Sequence, residues 1–219
     1  MKTNWKAAIF DFDGTLADSM YVWSKVDEEF LHARGIPVTQ EYTDAMRTMY
    51  FETAAAYTKE TYGLLETPEE IMQIWLELAH REYAESVRFK PGAAALVRKL
   101  KDSGCLLAMA TSNNPYLLRP CLANNQMEGV FDLICYTSEV GMNKDHPEIY
   151  LYTAEKLGVK PEDCVVFEDI IEGICSAKKA GMHTIAVYDP ANEAFREELK
   201  ETAEGFIESY REMLDEFPQ

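Results

Sequence analysis

The sequence predicts an α/β protein, a parallel sheet with helices on both faces. Two observations lead there. From residue 92 onward, short apolar runs alternate with segments of helical period, the sequence form of a parallel sheet. Residues 17–86, by contrast, carry helical period and no good strand, so they read as an insertion.

The first strand is Ala7–Phe10, an apolar run that ends at Asp11 and is closed by Gly14. Val22, Trp23, Val26, Phe30 and Leu31 then recur at helical spacing, with Gly35 and Pro37 as stop signals. Residues 54–62 read as a second helix. A third begins at Pro68 behind the cap residue Thr67, and Ile71, Ile74, Trp75, Leu78 and Ala79 give it one apolar face. After a linker at 86–91, helices are expected at 92–101, 115–123, 148–157 and 173–180. Strands are expected at 106–110, 133–136, 164–167 and 184–187, and one or two acidic surface helices over 193–217. The expected architecture is a Rossmann-like parallel-sheet core, residues 1–16 and 87–219, with an inserted all-helical cap at 17–86.

Composition narrows the partners. In 219 residues, 21 Lys and Arg face 38 Asp and Glu, a formal charge of −17. Nucleic acids and anionic membranes both call for a positive surface, so neither is expected. A phosphorylated ligand would need local positive charge of its own. No apolar run approaches the roughly 18 residues of a membrane span. The first residues reach two aspartates too early for a signal peptide. Five scattered cysteines without a C-x-x-C pair make a poor disulfide or zinc framework, and a reducing cytoplasm is expected.

Three expected strand ends are polar: Asp11-Phe12-Asp13-Gly14-Thr15, Thr111-Ser112-Asn113 and Glu168-Asp169. The carboxyl ends of parallel strands share one edge, where ligands bind, so these residues can converge across the sequence. Alternation points Asp11 and Asp13 one way and Phe12 into the core. Two carboxylates before a turn suit a hard cation such as Mg²⁺. A calcium loop is excluded, because its glycine belongs sixth and its glutamate twelfth; here Gly14 is fourth and Val22 twelfth. Asn114-Pro115 starts a helix whose free N–H groups, with the Thr111 hydroxyl, form a phosphate cradle. Lys144, in the loop 141–144, is a candidate cation for the same edge. Each piece also has a bland reading as a polar turn, an ordinary cap or a solvated charge; their shared placement favours a site.

Together the segments FDFDGTLADS, ATSN, Lys144 and VFEDIIEGICSAKKAGM resemble the four motifs of the haloacid-dehalogenase superfamily. The chain is most similar to the phosphoglycolate-phosphatase-like and beta-phosphoglucomutase-like subgroup with a helical cap. The resemblance implies that Asp11 is a nucleophile forming an aspartyl-phosphate and Asp13 a general acid and base. It implies Mg²⁺ held by Asp11, the Asp13 main chain and Asp169, with Glu168 as a ligand or its neighbour. Thr111, Ser112, Asn113 and Lys144 would bind the phosphoryl group. The expected partner is a small phosphorylated molecule, and the expected state a monomer or weak dimer. Three positions depart from the pattern. Asn143-Lys144-Asp145-His146-Pro147 keeps only the second proline of G-K-P-x-P, Ile170 replaces the serine of E-D-S, and Trp23 stands where the mutases carry a histidine. The last departure ranks a phosphatase above a hexose-phosphate mutase. Dehalogenation and a non-catalytic phosphate or metal binder rank lower. In the cap, Trp23, Arg47 and Tyr50 are candidates for choosing the substrate.

Overall fold

Four consecutive residues with no solvent exposure, Ala7–Phe10, form β1 in the interior of a six-stranded parallel sheet. The computed structural model describes residues 5–46 and 49–216. By their contacts these fall into two units, one of residues 5–20 with 87–216 and one of residues 21–46 with 49–86.

The first unit continues from β1 through β2 (Ala17–Asp18). The second holds α1 (Val22–His32), α2 (Gln40–Met46), α3 (Phe51–Tyr62) and α4 (Pro68–Glu85). Back in the first unit come β3 (Arg88–Phe89), α5 (Ala93–Asp102), β4 (Leu106–Thr111), α6 (Pro115–Asn124) and β5 (Leu133–Tyr136). Next are α7 (Thr137–Val140), α8 (Glu148–Leu157), β6 (Cys164–Glu168), α9 (Ile171–Lys179) and β7 (His183–Val187). The described chain ends with α10 (Arg196–Thr202), β8 (Gly205–Ile207) and α11 (Tyr210–Glu216).

The strand order is β5-β4-β1-β6-β7-β8, so successive strands run outward on one side of β1 and then on the other. The reversal leaves a crevice at the carboxyl ends of β1 and β6, where open sheets of this kind bind ligands. Both faces are apolar. Ile9, Ala108 and Val166 pack under Tyr150 and Ala154 of α8 and Ala177 of α9. On the other face Phe10 stacks on Phe167 at 4.5 Å, with Phe131 and Tyr210 around them.

The α/β class and the parallel sheet are as the sequence predicts. Several elements are additional. The C-terminal stretch holds the strand β8 as well as two helices; β8 has only three residues, too few to show a period, and is held by pairing with β7. Ala17–Asp18 pairs antiparallel with Arg88–Phe89 in a separate two-stranded sheet, and residues 17–20 belong to the first unit and not to the helical one. The short α2 and α7 likewise lack enough turns for periodicity to reveal them. Most usefully, β4 and β6 run one residue beyond their apolar runs and take Thr111 and Glu168 into the ladder.

The helical unit has its own core. Thr67 and Glu70 form a capping box at the start of α4, with Pro68 in the first turn, as the sequence predicts. Ile71, Trp75 and Ala79 face inward, and Trp75 meets Phe30 and Phe51 at 5.7 Å each. Beside them the buried Tyr42 hydroxyl donates to Asp27 at 3.2 Å and lies 3.0 Å from the Thr58 hydroxyl.

Burial pushes the Asp27 carboxyl up to about 6, against a partial offset from the Tyr42 hydrogen bond. A raised folded pKa means stability fully present below the unfolded value near 4 and lost as pH rises through about 6, at a cost on the order of 2–3 kcal/mol. Asp27→Asn is therefore expected to raise the thermal midpoint at about pH 8 and leave it nearly unchanged at about pH 4. Melting curves at both pH values check this; equal shifts at the two would refute it.

Candidate active site

The end of β1 positions the first carboxylate. Asp11 N donates to Phe167 O at 2.9 Å, a rung that continues the ladder toward β6, and Asp11 itself is buried. Phe12 turns into the core with no exposure, as alternation predicts. The chain then folds back tightly, Ala17 N donating to Phe12 O and Gly14 N to Ala17 O at 2.8 and 3.0 Å. Gly14 sits at φ +78°, and a Cβ there would lie 2.4 Å from Asp169 Oδ2. Only glycine lets this loop lie against Asp169. Next to it the Thr15 hydroxyl donates to Asp169 Oδ1 at 2.8 Å.

The end of β6 supplies the other two carboxylates. Glu168 and Asp169 are both buried, and one oxygen from each of Asp11, Glu168 and Asp169 lies within 4.8 Å of the others. The Glu168 side chain passes over Gly173 of α9, where a Cβ would stand 2.5 Å from its Cγ. Lys144 is buried among these acids. Its ammonium donates to Asp11 Oδ1, and to Glu168 Oε2 at 2.9 Å. Tyr150 Oη donates to the same Glu168 oxygen at 3.1 Å.

The electrostatics follow from that count. Burial works against the Lys144 charge, but Asp11 and Glu168 outweigh it and hold the ammonium above its ordinary pKa. Burial, then the charge of Asp11, pushes Glu168 up to about 7 against the pull of Lys144. Burial and the neighbouring Glu168 and Asp11 charges raise Asp169 as well. Tyr150 is driven well up by burial and by Glu168, so its phenol stays a donor. Crowding three buried carboxylates around one ammonium disfavours their ionised forms, a penalty that a divalent cation would relieve. An all-oxygen donor set of this kind suits a hard cation.

The second segment joins through Asp13, which is half-buried. Its Oδ2 accepts from the Asn113 side-chain amide at 2.8 Å and its Oδ1 from the Ser19 hydroxyl at 2.7 Å. The Asn113 main-chain N–H donates to Thr111 Oγ1 at 3.0 Å. Asn114 caps α6 by accepting from Leu117 N at 3.1 Å, with Pro115 in the first turn, and Ser112 is exposed. Hydrogen bonds therefore link Asp13 to 113 and 111, and join 11, 144 and 168, while 169 is tied to the first loop through Thr15.

In the helical unit, Trp23 is 40% exposed and meets Phe51 edge-on at 5.5 Å, and Tyr50 is 77% exposed. Arg47 lies outside the described residues. Sequence reasoning missed Tyr150 and Gly173. A tyrosine at helical spacing reads as packing, and a helical glycine carries no signal for the carboxylate laid across it. Among the described residues no helix is long and apolar enough to cross a membrane.

Comparison with known proteins points to one family. The family model described as "Haloacid dehalogenase-like hydrolase" matches residues 8–187. Hexitol phosphatase B of Escherichia coli is 28% identical over 190 residues, covering 86% of this chain and 85% of that one. A phosphorylated carbohydrates phosphatase of Thermotoga maritima is 28% identical over 180 residues, with 82% and 83% coverage. The crystal structure of CbbY from Rhodobacter sphaeroides in complex with phosphate superposes with a TM-score of 0.77 at 25% identity, covering 95% of this chain and 96% of that one.

Gly173→Ala tests the packing of Glu168. Alanine is a good helix residue, so α9 should persist by circular dichroism. The displaced Glu168 is expected to weaken the affinity for a divalent cation by roughly 10–100-fold in calorimetric titration. Unchanged affinity would show that Glu168 takes no part in holding a cation.

Proposed function

Because the chain belongs to the haloacid dehalogenase-like hydrolase family, we propose that it is a Mg²⁺-dependent phosphatase of a small phosphomonoester, a sugar phosphate or related metabolite. The observation that carries this reading is the meeting of the Asp11 carboxylate with Lys144, Glu168 and Asp169 at the sheet's switch point. The names of the phosphatase relatives support the substrate class.

In the reading proposed, Asp11 attacks phosphorus; an O–P bond forms as the bond to the leaving oxygen breaks. Asp13 delivers its proton to that oxygen, then takes one from the water that attacks the aspartyl-phosphate, releasing phosphate and restoring Asp11. Asn113 and Ser19, one on each Asp13 oxygen, keep its carboxyl turned for both transfers. Thr111, the Ser112 and Asn113 segment and the Lys144 ammonium meet the phosphoryl oxygens, where positioning and charge neutralisation supply most of the rate. Asp11, Asp169 and the Asp13 carbonyl would hold Mg²⁺, with Glu168 beside them anchoring Lys144. When bound there, Mg²⁺ neutralises charge on the phosphoryl oxygens. We keep Trp23, Arg47 and Tyr50 as the residues proposed to choose the substrate.

The charge of −17 supports a soluble small-molecule substrate over a nucleic acid or an anionic membrane. Five free cysteines support a reducing, cytoplasmic setting. We take the active form as a monomer or weak dimer.

Phosphate release from p-nitrophenyl phosphate and a panel of sugar and hexitol phosphates is expected with Mg²⁺. Asp11→Asn should abolish it, and Lys144→Ala should lower it by roughly a hundredfold, about 3 kcal/mol of barrier. Equal turnover by wild type and Asp11→Asn would refute the nucleophile. A positional isomer formed from a sugar 1-phosphate, without free phosphate, would mark a mutase instead.

A further inference from the structure

Asn192 lies outside every motif quoted above. It sits on the 3-10 turn Pro190–Phe195 that follows β7, and its Nδ2 donates twice to one residue. The bonds are 2.7 Å to Asp169 Oδ2 and 3.1 Å to the Asp169 main-chain oxygen. Both partners are acceptors, so the amide nitrogen, not its oxygen, faces them. Thr15 already occupies Oδ1. Each Asp169 oxygen thus spends one lone pair on a fixed donor and keeps another for a cation. Ile170, the next residue in the chain, has no side-chain donor to offer.

The turn that carries Asn192 is itself anchored. Asp189 accepts from Ala191 N through Oδ1 at 2.9 Å, and its main-chain oxygen accepts from Asn192 N at 3.0 Å. Its Oδ2 pairs at 2.9 Å with Lys90 Nζ, the two side chains being 3% and 11% exposed. Lys90 also donates through Nζ to Tyr188 O and through its main-chain N to Leu16 O, each at 2.7 Å. The line of contacts therefore runs from the residue just after β3 to a carboxylate at the end of β6.

We propose that Asn192 is a positioning residue for the cation-binding carboxylate of Asp169, and that the Lys90–Asp189 pair holds Asn192 to that task. Asp169 stands beside Glu168 and Asp11, and like charges at this range push it away. Thr15 and Asn192 pin it from both oxygens, so that the ligand is oriented before a cation arrives. The inference rests on the reading above, in which Asp169 is a metal ligand.

The test is calorimetric titration of the full chain with Mg²⁺ alone, for wild type, Asn192→Ala, Asn192→Leu, Lys90→Met and Asp169→Asn. Both Asn192 variants are expected to raise the Mg²⁺ Kd by roughly 10–100-fold. With p-nitrophenyl phosphate they should need more Mg²⁺ yet regain kcat to within about threefold at saturation, which a merely structural loss would not allow. Lys90→Met should weaken Mg²⁺ binding on its own and add little once residue 192 is leucine. If Asp169→Asn loses Mg²⁺ binding while both Asn192 variants stay within about twofold of wild type, the proposal is overturned and the metal-ligand reading stands. If wild type binds no Mg²⁺, or Asp169→Asn binds it as well as wild type does, that reading fails and the proposal with it.

Discussion

Three carboxylates held together away from water, with one ammonium among them, are the constraint on which the rest of the site depends. Two like charges about 4 Å apart repel by ~4 kcal/mol at an effective dielectric near 20. Lys144 answers two of the acids directly, Asp11 and Glu168, and leaves Asp169 to hydroxyl and amide donors. Such an arrangement does not assemble by attraction. It is imposed by backbone that is committed elsewhere: the β1 and β6 strands are locked into neighbouring ladders, and their next residues have nowhere else to go.

The apolar interior and the polar edge are therefore one design. Strands buried on both faces must end where the chain can meet water again, and the first polar residues after them stand in a row. Strand order decides which rows become neighbours. Because β6 returns to the free side of β1 after β4 and β5 have filled the other, Asp11 and Glu168–Asp169 flank the reversal. Glycines at 14 and 173 then allow approaches that any Cβ would block.

Much of this was legible in the sequence, for definable reasons. Apolar runs and helical period mark the long elements, and Asp11, Asp13, Thr111, Asn113, Glu168 and Asp169 follow directly from where the runs stop. What stayed hidden was short or borrowed its meaning from distant partners. β8 has three residues, and its pairing with β7 makes it a strand. Tyr150 reads as core packing until its hydroxyl is found on Glu168. Asn192 sits in a D-P-A-N turn that resembles any surface turn; its significance lies 23 positions away. Lys144 stands out in the sequence as a cation for the site, but its contacts with Asp11 and Glu168 are visible only in the structure.

The helix α11 returns to the site from the far end of the described chain. The buried Tyr210 hydroxyl donates to the Thr15 main-chain oxygen at 3.3 Å, and Thr15 is the residue that holds Asp169. Glycine at 92 lets the backbone of 210–211 come this near, a Cβ there falling 2.9 Å from Arg211 N. The motif loop and the C-terminal helix are thus tied together by a buried contact. Without that helix the Thr15 main-chain oxygen would lose this donor, within the same residue as the hydroxyl that fixes Asp169.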